Sequence, residues 1–236
     1  MDRQAAFVLH SRPYRETSQL VEVFCASGRV SLVARGSRRP RSPLRALLQP
    51  FMPIELAWQG QRGLKTLIAA EPLGTPIALR EVALYSGLYL NELLYYLLEP
   101  DTTYPVLFSA YQQSLDWLAR LEAPEPVLRQ FELLLLDELG YGVDFSCDAH
   151  TGAAIEPDGV YLYLAECGFV RHTAERPTRE GFRGSDLQAM ACRHFSDVQQ
   201  LQAAKRFCRL ALHPHLGNRP LKSRELFQQL AVRRMQ

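Results

Sequence analysis

The change of hydrophobic period at Pro72-Leu73-Gly74-Thr75-Pro76 constrains this chain most. Before it, apolar residues recur in short runs with a period near two. After it, they recur at helical spacing over long stretches, and one polypeptide cannot satisfy both periods in one kind of element. The upstream runs are Gln4 to His10, Ser18 to Cys25, Arg29 to Ala34, Phe51 to Trp58 and Leu64 to Ala70, with turn-like Ser27-Gly28 and Gln59-Gly60-Gln61-Arg62-Gly63 between some of them. Five strands in seventy-odd residues fit a small barrel, either the oligonucleotide-binding type or an SH3-like one. The downstream segments predict helices over Ile77 to Glu99, Tyr104 to Leu121 and Ala123 to Leu139, expected to form one bundle. Residues 141–182 are irregular, with short strands at Val160 to Leu164 and Gly168 to His172. Helices resume at Gly184 to Arg193, Val198 to His213 and Ser223 to Val232.

Charge is distributed as unevenly as period. The net charge is only +2, but residues 1–80 carry +7, residues 81–145 carry −9 and residues 146–236 carry +4. Such a succession predicts separate surfaces for separate partners. The basic excess peaks after the third strand, where Arg35, Arg38, Arg39, Arg41 and Arg45 occur with no Asp or Glu anywhere from Val23 to Ile54. Gly36, Ser37, Pro40, Ser42 and Pro43 interrupt the run, which predicts a mobile basic loop. An uncompensated local positive field is what phosphate binding requires. Lys65 on the fifth strand, and Lys205 and Arg206 on a later helix, are further candidate DNA contacts. The two helical residues have an ordinary alternative as a solvated face.

The sequence excludes several chemistries. It has no phosphate-binding P-loop, no dinucleotide fingerprint, no nucleophile elbow and no His-Glu-x-x-His. No clustered Asp/Glu/His set supports a metal-dependent nucleic-acid enzyme. Five scattered cysteines, no signal-peptide pattern and no membrane-length apolar run predict a cytoplasmic protein with reduced thiols. Cys147-Asp148-Ala149-His150 followed by Cys167 supplies three of the four ligands a closed zinc site needs; position 170 is Val, and no bound zinc is expected. Arg129 and Arg120 are the only cations from Glu81 to Phe145. By pattern, Arg129 pairs with Glu125 or Glu132 on its own helix.

Several stretches together resemble the RecO family of bacterial DNA repair proteins. They are Ala6-Phe7-Val8-Leu9-His10-Ser11-Arg12-Pro13, Ala34-Arg35-Gly36-Ser37-Arg38, Leu84-Tyr85-Ser86-Gly87-Leu88-Tyr89-Leu90-Asn91-Glu92-Leu93-Leu94, Leu139-Gly140-Tyr141-Gly142 and Pro220-Leu221-Lys222-Ser223-Arg224-Glu225-Leu226-Phe227. They occur in family order over nearly the whole chain. The resemblance implies an α+β protein with a five-stranded OB-fold barrel over 1–76. A mainly helical domain over 77–236 follows, with a small zinc-finger-like insertion at 141–182. It implies a non-enzymatic protein that binds single- and double-stranded DNA and anneals complementary strands. With RecR, such a protein helps load RecA onto gaps coated with single-stranded DNA-binding protein, whose acidic C-terminal tail it also binds; a cytoplasmic, nucleoid-associated location follows. It further implies that Arg129, Phe131 and Leu133 line the site for that tail. Many family members have four cysteines in the insertion; here Cys147 and Cys167 remain, as in the branch whose insertion folds without metal. An adaptor that never touches DNA directly is the competing reading.

Overall fold

In the computed structural model, which describes residues 3–120, 123–173, 178–217 and 219–234, the strands expected before Pro72 close into a barrel. They are β1 (Gln4–Tyr14), β2 (Ser18–Cys25), β3 (Gly28–Ala34), β4 (Ile54–Gln59) and β5 (Lys65–Pro72), with a one-turn helix α1 (Leu44–Leu47) between β3 and β4. The order around the barrel is β1-β2-β3-β5-β4. All pairs are antiparallel except β3 with β5, which pair in parallel at Leu32–Lys65 and Val33–Thr66. This closed five-stranded topology, with its helix between β3 and β4, is the OB-fold, so pairing resolves what the period left open.

The barrel interior follows from strand alternation. Val21, Val23 and Cys25 face Val30, Leu32 and Ala34, and Ala6, Val8, Ile54, Leu56 and Leu67 complete the wall. Leu48 and Met52 join the same core from the α1 side. Phe7 and Phe24 point outward on the opposite parity, yet both are buried. Helices α2 (Glu81–Leu97) and α3 (Pro105–Arg120) cover them. The Tyr111 ring meets Phe7 at 5.5 Å and Phe24 at 5.9 Å, and Phe108 meets Phe24 at 5.4 Å. A bulge breaks the β1 register between Val8 and His10. There the Asn91 amide on α2 reaches the Val8 and Leu9 carbonyls at 3.4 and 3.5 Å, while its Oδ1 accepts a 2.6 Å bond from the Tyr111 hydroxyl. Gly87 lets α2 approach closely, since a Cβ there would lie 2.5 Å from Leu79 and 2.9 Å from Phe51.

Packing divides the chain differently from period. Two compact units result: 1–124 with 218–236, and 125–217. The second unit holds α4 (Glu125–Glu138), β6 (Val160–Leu164), β7 (Gly168–Arg171), β8 (Phe182–Arg183), α5 (Gly184–Cys192) and α6 (Val198–Leu216). The expected three-helix bundle is therefore corrected: α2 packs on α3 and on the last helix, α7 (Lys222–Arg234), whereas α4 packs on α6. Leu121, the expected end of the α3 segment, lies outside the described residues.

The segment expected as an insertion is an antiparallel sheet in the order β7-β6-β8. Phe169 centres its core, with the rings of Phe145, Tyr163, Phe182 and Phe207 all between 5.4 and 5.6 Å from it. The loop before β6 is held by Asp148. One carboxylate oxygen accepts the His150 and Thr151 backbone N–H groups at 2.9 and 2.8 Å, and the other accepts that of Arg171 at 2.6 Å. These three donors, Arg171 foremost, lower the Asp148 pKa to about 2.

Candidate nucleic-acid interface

The loop after β3 is a chain of hydrogen-bonded turns. Ser37 is buried, and its hydroxyl donates to the Ala34 carbonyl at 2.8 Å. Backbone bonds run from Arg39 to Gly36, Ser42 to Arg39 and Arg45 to Ser42. With the backbone so fixed, Arg35, Arg38, Arg39, Arg41 and Arg45 are all exposed. None of the five joins an ion pair among the described residues.

This loop is tied to the β1–β2 hairpin. The Arg38 backbone N–H donates to Thr17 O at 2.9 Å, and the Arg38 guanidinium donates to the Arg15 and Glu16 carbonyls at 3.3 Å each. Arg15 turns the hairpin in the left-handed region (φ 53°), and its guanidinium lies 5.2 Å from the centre of the Tyr14 ring. Arg15 is exposed beside the loop arginines, as is one acid, Glu16, and Arg12 is exposed farther along β1. Sequence reasoning missed these two cations because it ended the first strand at His10. Ser11 to Tyr14 carry no core-facing alternation, but they pair with Ser18 to Val21 beyond the bulge. The β1–β2 loop and the β2–β3 face are where OB-folds take oligonucleotides. On that face Glu22 is internally neutralised, accepting 2.8 Å bonds from Arg29 and Ser31.

Lys65 does not belong to this surface. It shares the inward parity of Leu67, is buried, and holds Asp101 at 2.5 Å. Arg206 is also committed: it donates to the Arg179 carbonyl at 2.7 Å and to that of Gly181, and covers the Phe182 ring at 3.8 Å.

Lys205 has a different setting from the one expected. Desolvation, then repulsion from Arg209 and Arg129, lowers its pKa. Arg129 pairs with Glu132 at 2.9 Å, as the helical spacing predicts, and both are buried. So α4 and α6 bring Arg129, Lys205 and Arg209 together, with Glu125 and Glu132 nearby. Phe131 and Leu133, expected to line the tail site, are core side chains, exposed by 2% and 3%. Their apolar spacing signals burial as readily as a groove.

Cys147 and Cys167 line one cleft of about 530 Å³ with Asp144 and Glu166. The Cys147 thiol donates to Asp144 at 3.2 Å, and among the described residues no three His, Cys, Asp or Glu side chains converge to hold a metal ion. Nor, among those residues, is any helix long and apolar enough to cross a membrane.

Two family models match the chain. The N-terminal model of recombination protein O covers residues 1–76, and its C-terminal model covers 82–225. A curated DNA repair protein RecO of Tolumonas auensis is 52% identical over 99% of this chain and 98% of its own. That of Actinobacillus pleuropneumoniae serotype 7 is 50% identical over 95% and 93%, and that of Vibrio cholerae serotype O1 is 48% identical over 98% and 95%. With an OB barrel matching the first model and residues 82–225 the second, the chain belongs to the RecO family of DNA repair proteins.

Proposed function

We propose that this chain is a non-enzymatic DNA-binding protein that anneals complementary strands and, with RecR, helps load RecA onto gaps coated with single-stranded DNA-binding protein. One observation carries the DNA contact: five exposed arginines on a pinned loop of an OB barrel, joined by Arg15. Phosphates of two strands neutralised on such a surface repel each other less, which favours pairing without bond chemistry. The roles with RecR and RecA, and the cytoplasmic, nucleoid-associated location, rest on family membership.

The test is binding of naked single- and double-stranded oligonucleotides, followed by annealing of complementary strands. Replacing Arg35, Arg39, Arg41 and Arg45 with Ala is expected to weaken the first and slow the second. Failure of the wild-type protein to bind naked DNA would establish the adaptor reading instead. A cleavage product with added divalent metal would replace both with a nuclease.

The acidic tail of single-stranded DNA-binding protein is assigned to the α4–α6 surface, with its carboxylates toward Arg129, Lys205 and Arg209. Lys205 thereby moves from the DNA contacts to the tail contacts. Lys205→Ala with Arg209→Ala should weaken tail-peptide binding without breaking the buried Arg129–Glu132 pair; wild-type affinity rejects the assignment. The insertion is proposed to fold without metal, held by Asp148 and the Phe169 cluster. One zinc per chain by elemental measurement would reject that.

A further inference from the structure

Two sequence stretches that the arginine loop leaves unused meet on the first unit. His10 and Arg12 lie on β1 at and beyond its bulge, Lys222 opens α7, and Arg219 lies just before it. Between them α2 presents Tyr95 and Tyr96. The His10 and Tyr95 rings are 5.0 Å apart and inclined by 35°, and Tyr95 and Tyr96 are also 5.0 Å apart. The Arg219 guanidinium lies 5.5 Å from the Tyr96 centre, and that of Arg29 lies 5.7 Å from Tyr95. His10, Arg12, Arg219 and Lys222 are exposed, and both tyrosines are partly so.

The neighbouring acids are already engaged. Glu22 holds Arg29 and Ser31. Glu92 caps α7, accepting the Lys222 and Ser223 backbone N–H groups at 3.0 Å each and the Ser223 hydroxyl at 2.5 Å. Arg12, Arg219 and Lys222 have no ion pair among the described residues. The result is a run of three rings with three cations outside ion pairs around it and one carboxylate, Glu92, turned to the start of α7. Burial, then Lys222, lowers the His10 pKa, with Arg12 adding to the effect and Glu22 and Glu92 opposing it. At neutral pH His10 therefore contributes a ring rather than a charge.

We propose that His10, Tyr95 and Tyr96 form a second binding site, for an unpaired nucleic-acid strand, whose bases stack on the rings and whose phosphates lie against Arg12, Arg219 and Lys222. Aromatic rings interleaved with cations are the means by which single strands are held without sequence preference. A duplex hides its base faces and gains only from the cations, so the site discriminates for unpaired strands; the arginine loop, made of charge alone, does not. This inference rests on the DNA-binding reading and supplies what annealing needs, a place for one strand separate from the place for the other.

The experiment uses the full chain with a labelled oligothymidylate and a duplex of equal length. In the double variant His10→Ala/Tyr96→Leu, single-strand affinity is expected to fall roughly tenfold, the loss of a stacked base. Duplex affinity is expected to stay within about twofold, since no phosphate-neutralising cation is removed. Tyr96→Phe keeps the ring and should bind as wild type, which separates stacking from damage to the fold. Photo-crosslinking of thymine-analogue DNA should mark the peptides carrying His10 or Tyr96. Equal loss on single strand and duplex, or a Tyr96→Phe variant as weak as the double variant, overturns the site. Unchanged single-strand affinity also overturns it, and assigns the face to a protein contact. The loop variant separates the two readings: if it weakens DNA binding while the ring variant does not, only the ring site fails, and if neither does, DNA binding by this unit fails with it.

Discussion

Removing the loop arginines that the fold leaves uncommitted is the most direct perturbation of this protein. Arg35, Arg39, Arg41 and Arg45 are exposed and outside every ion pair among the described residues. Arg38 is excluded because its guanidinium also ties down the β1–β2 hairpin. Each cation that neutralises one phosphate of a single strand adds roughly 0.7 to the slope of log affinity against log salt. Four such contacts give a slope change of about 2.8 between wild type and the quadruple Ala variant. From roughly 50 to 200 mM salt, wild type should therefore lose about 50-fold more affinity than the variant. Fluorescence anisotropy with a labelled single strand across that range measures this, and thermal melting confirms that the variant is folded. Lys65→Ala is the matched control: its ammonium is buried on Asp101, so its slope should equal that of wild type. A slope change below about one for the quadruple variant, or a Lys65→Ala variant as flat as it, would refute the reasoning.

Three further outcomes follow from the packing. Tyr111→Phe leaves the buried Asn91 Oδ1 without its 2.6 Å donor and should cost about 1–3 kcal/mol in urea unfolding; an unchanged midpoint would count against the Asn91 linkage. Asp148 has its pKa depressed to about 2, so its contribution is present above the unfolded carboxylate value near 3.8 and lost as pH falls toward 2. Asp148→Asn should therefore lower stability at neutral pH and flatten the acid limb in that window; parallel pH–stability curves would contradict this. Burial pushes the Cys25 and Cys208 thiols up, and donation to Asp144 does the same for Cys147. Exposed Cys167 and Cys192 should thus react first with a thiol reagent, as mass mapping at short times would reveal.

The sequence carries what is local and withholds what depends on pairing. Ser18–Cys25 alternates and is a strand over those same residues, because period is a local signal, although it did not show that Phe24 on the outer parity is buried too. Barrel type was not legible, since the parallel pairing of Leu32 with Lys65 joins strands that no local pattern links. The helical stripe on α4 announced burial but not its partner, which is α6 rather than α2. Lys65 could have been excluded from the surface, because it stands at the same strand parity as Leu67. The joining of Lys205 to Arg129 could not, because it depends on how two helices separated by 59 residues pack. Asp148 gave no signal beyond its place in a Cys-x-x-His, yet its three backbone donors, not the thiols, organise that loop.

Glu92 closing on the backbone of Lys222 and Ser223 has a consequence for the order of synthesis. The unit carrying the barrel is discontinuous, and the 93 residues from Glu125 to Gly217 are spliced into it. On a ribosome adding roughly 5–20 residues per second, those residues take about 5–20 s to emerge. During that interval the nascent barrel and α2 await the helix that covers Tyr85 and caps on Glu92. A premature stop after Gly217 would thus spare the unit nearest the stop and leave the one made first incomplete.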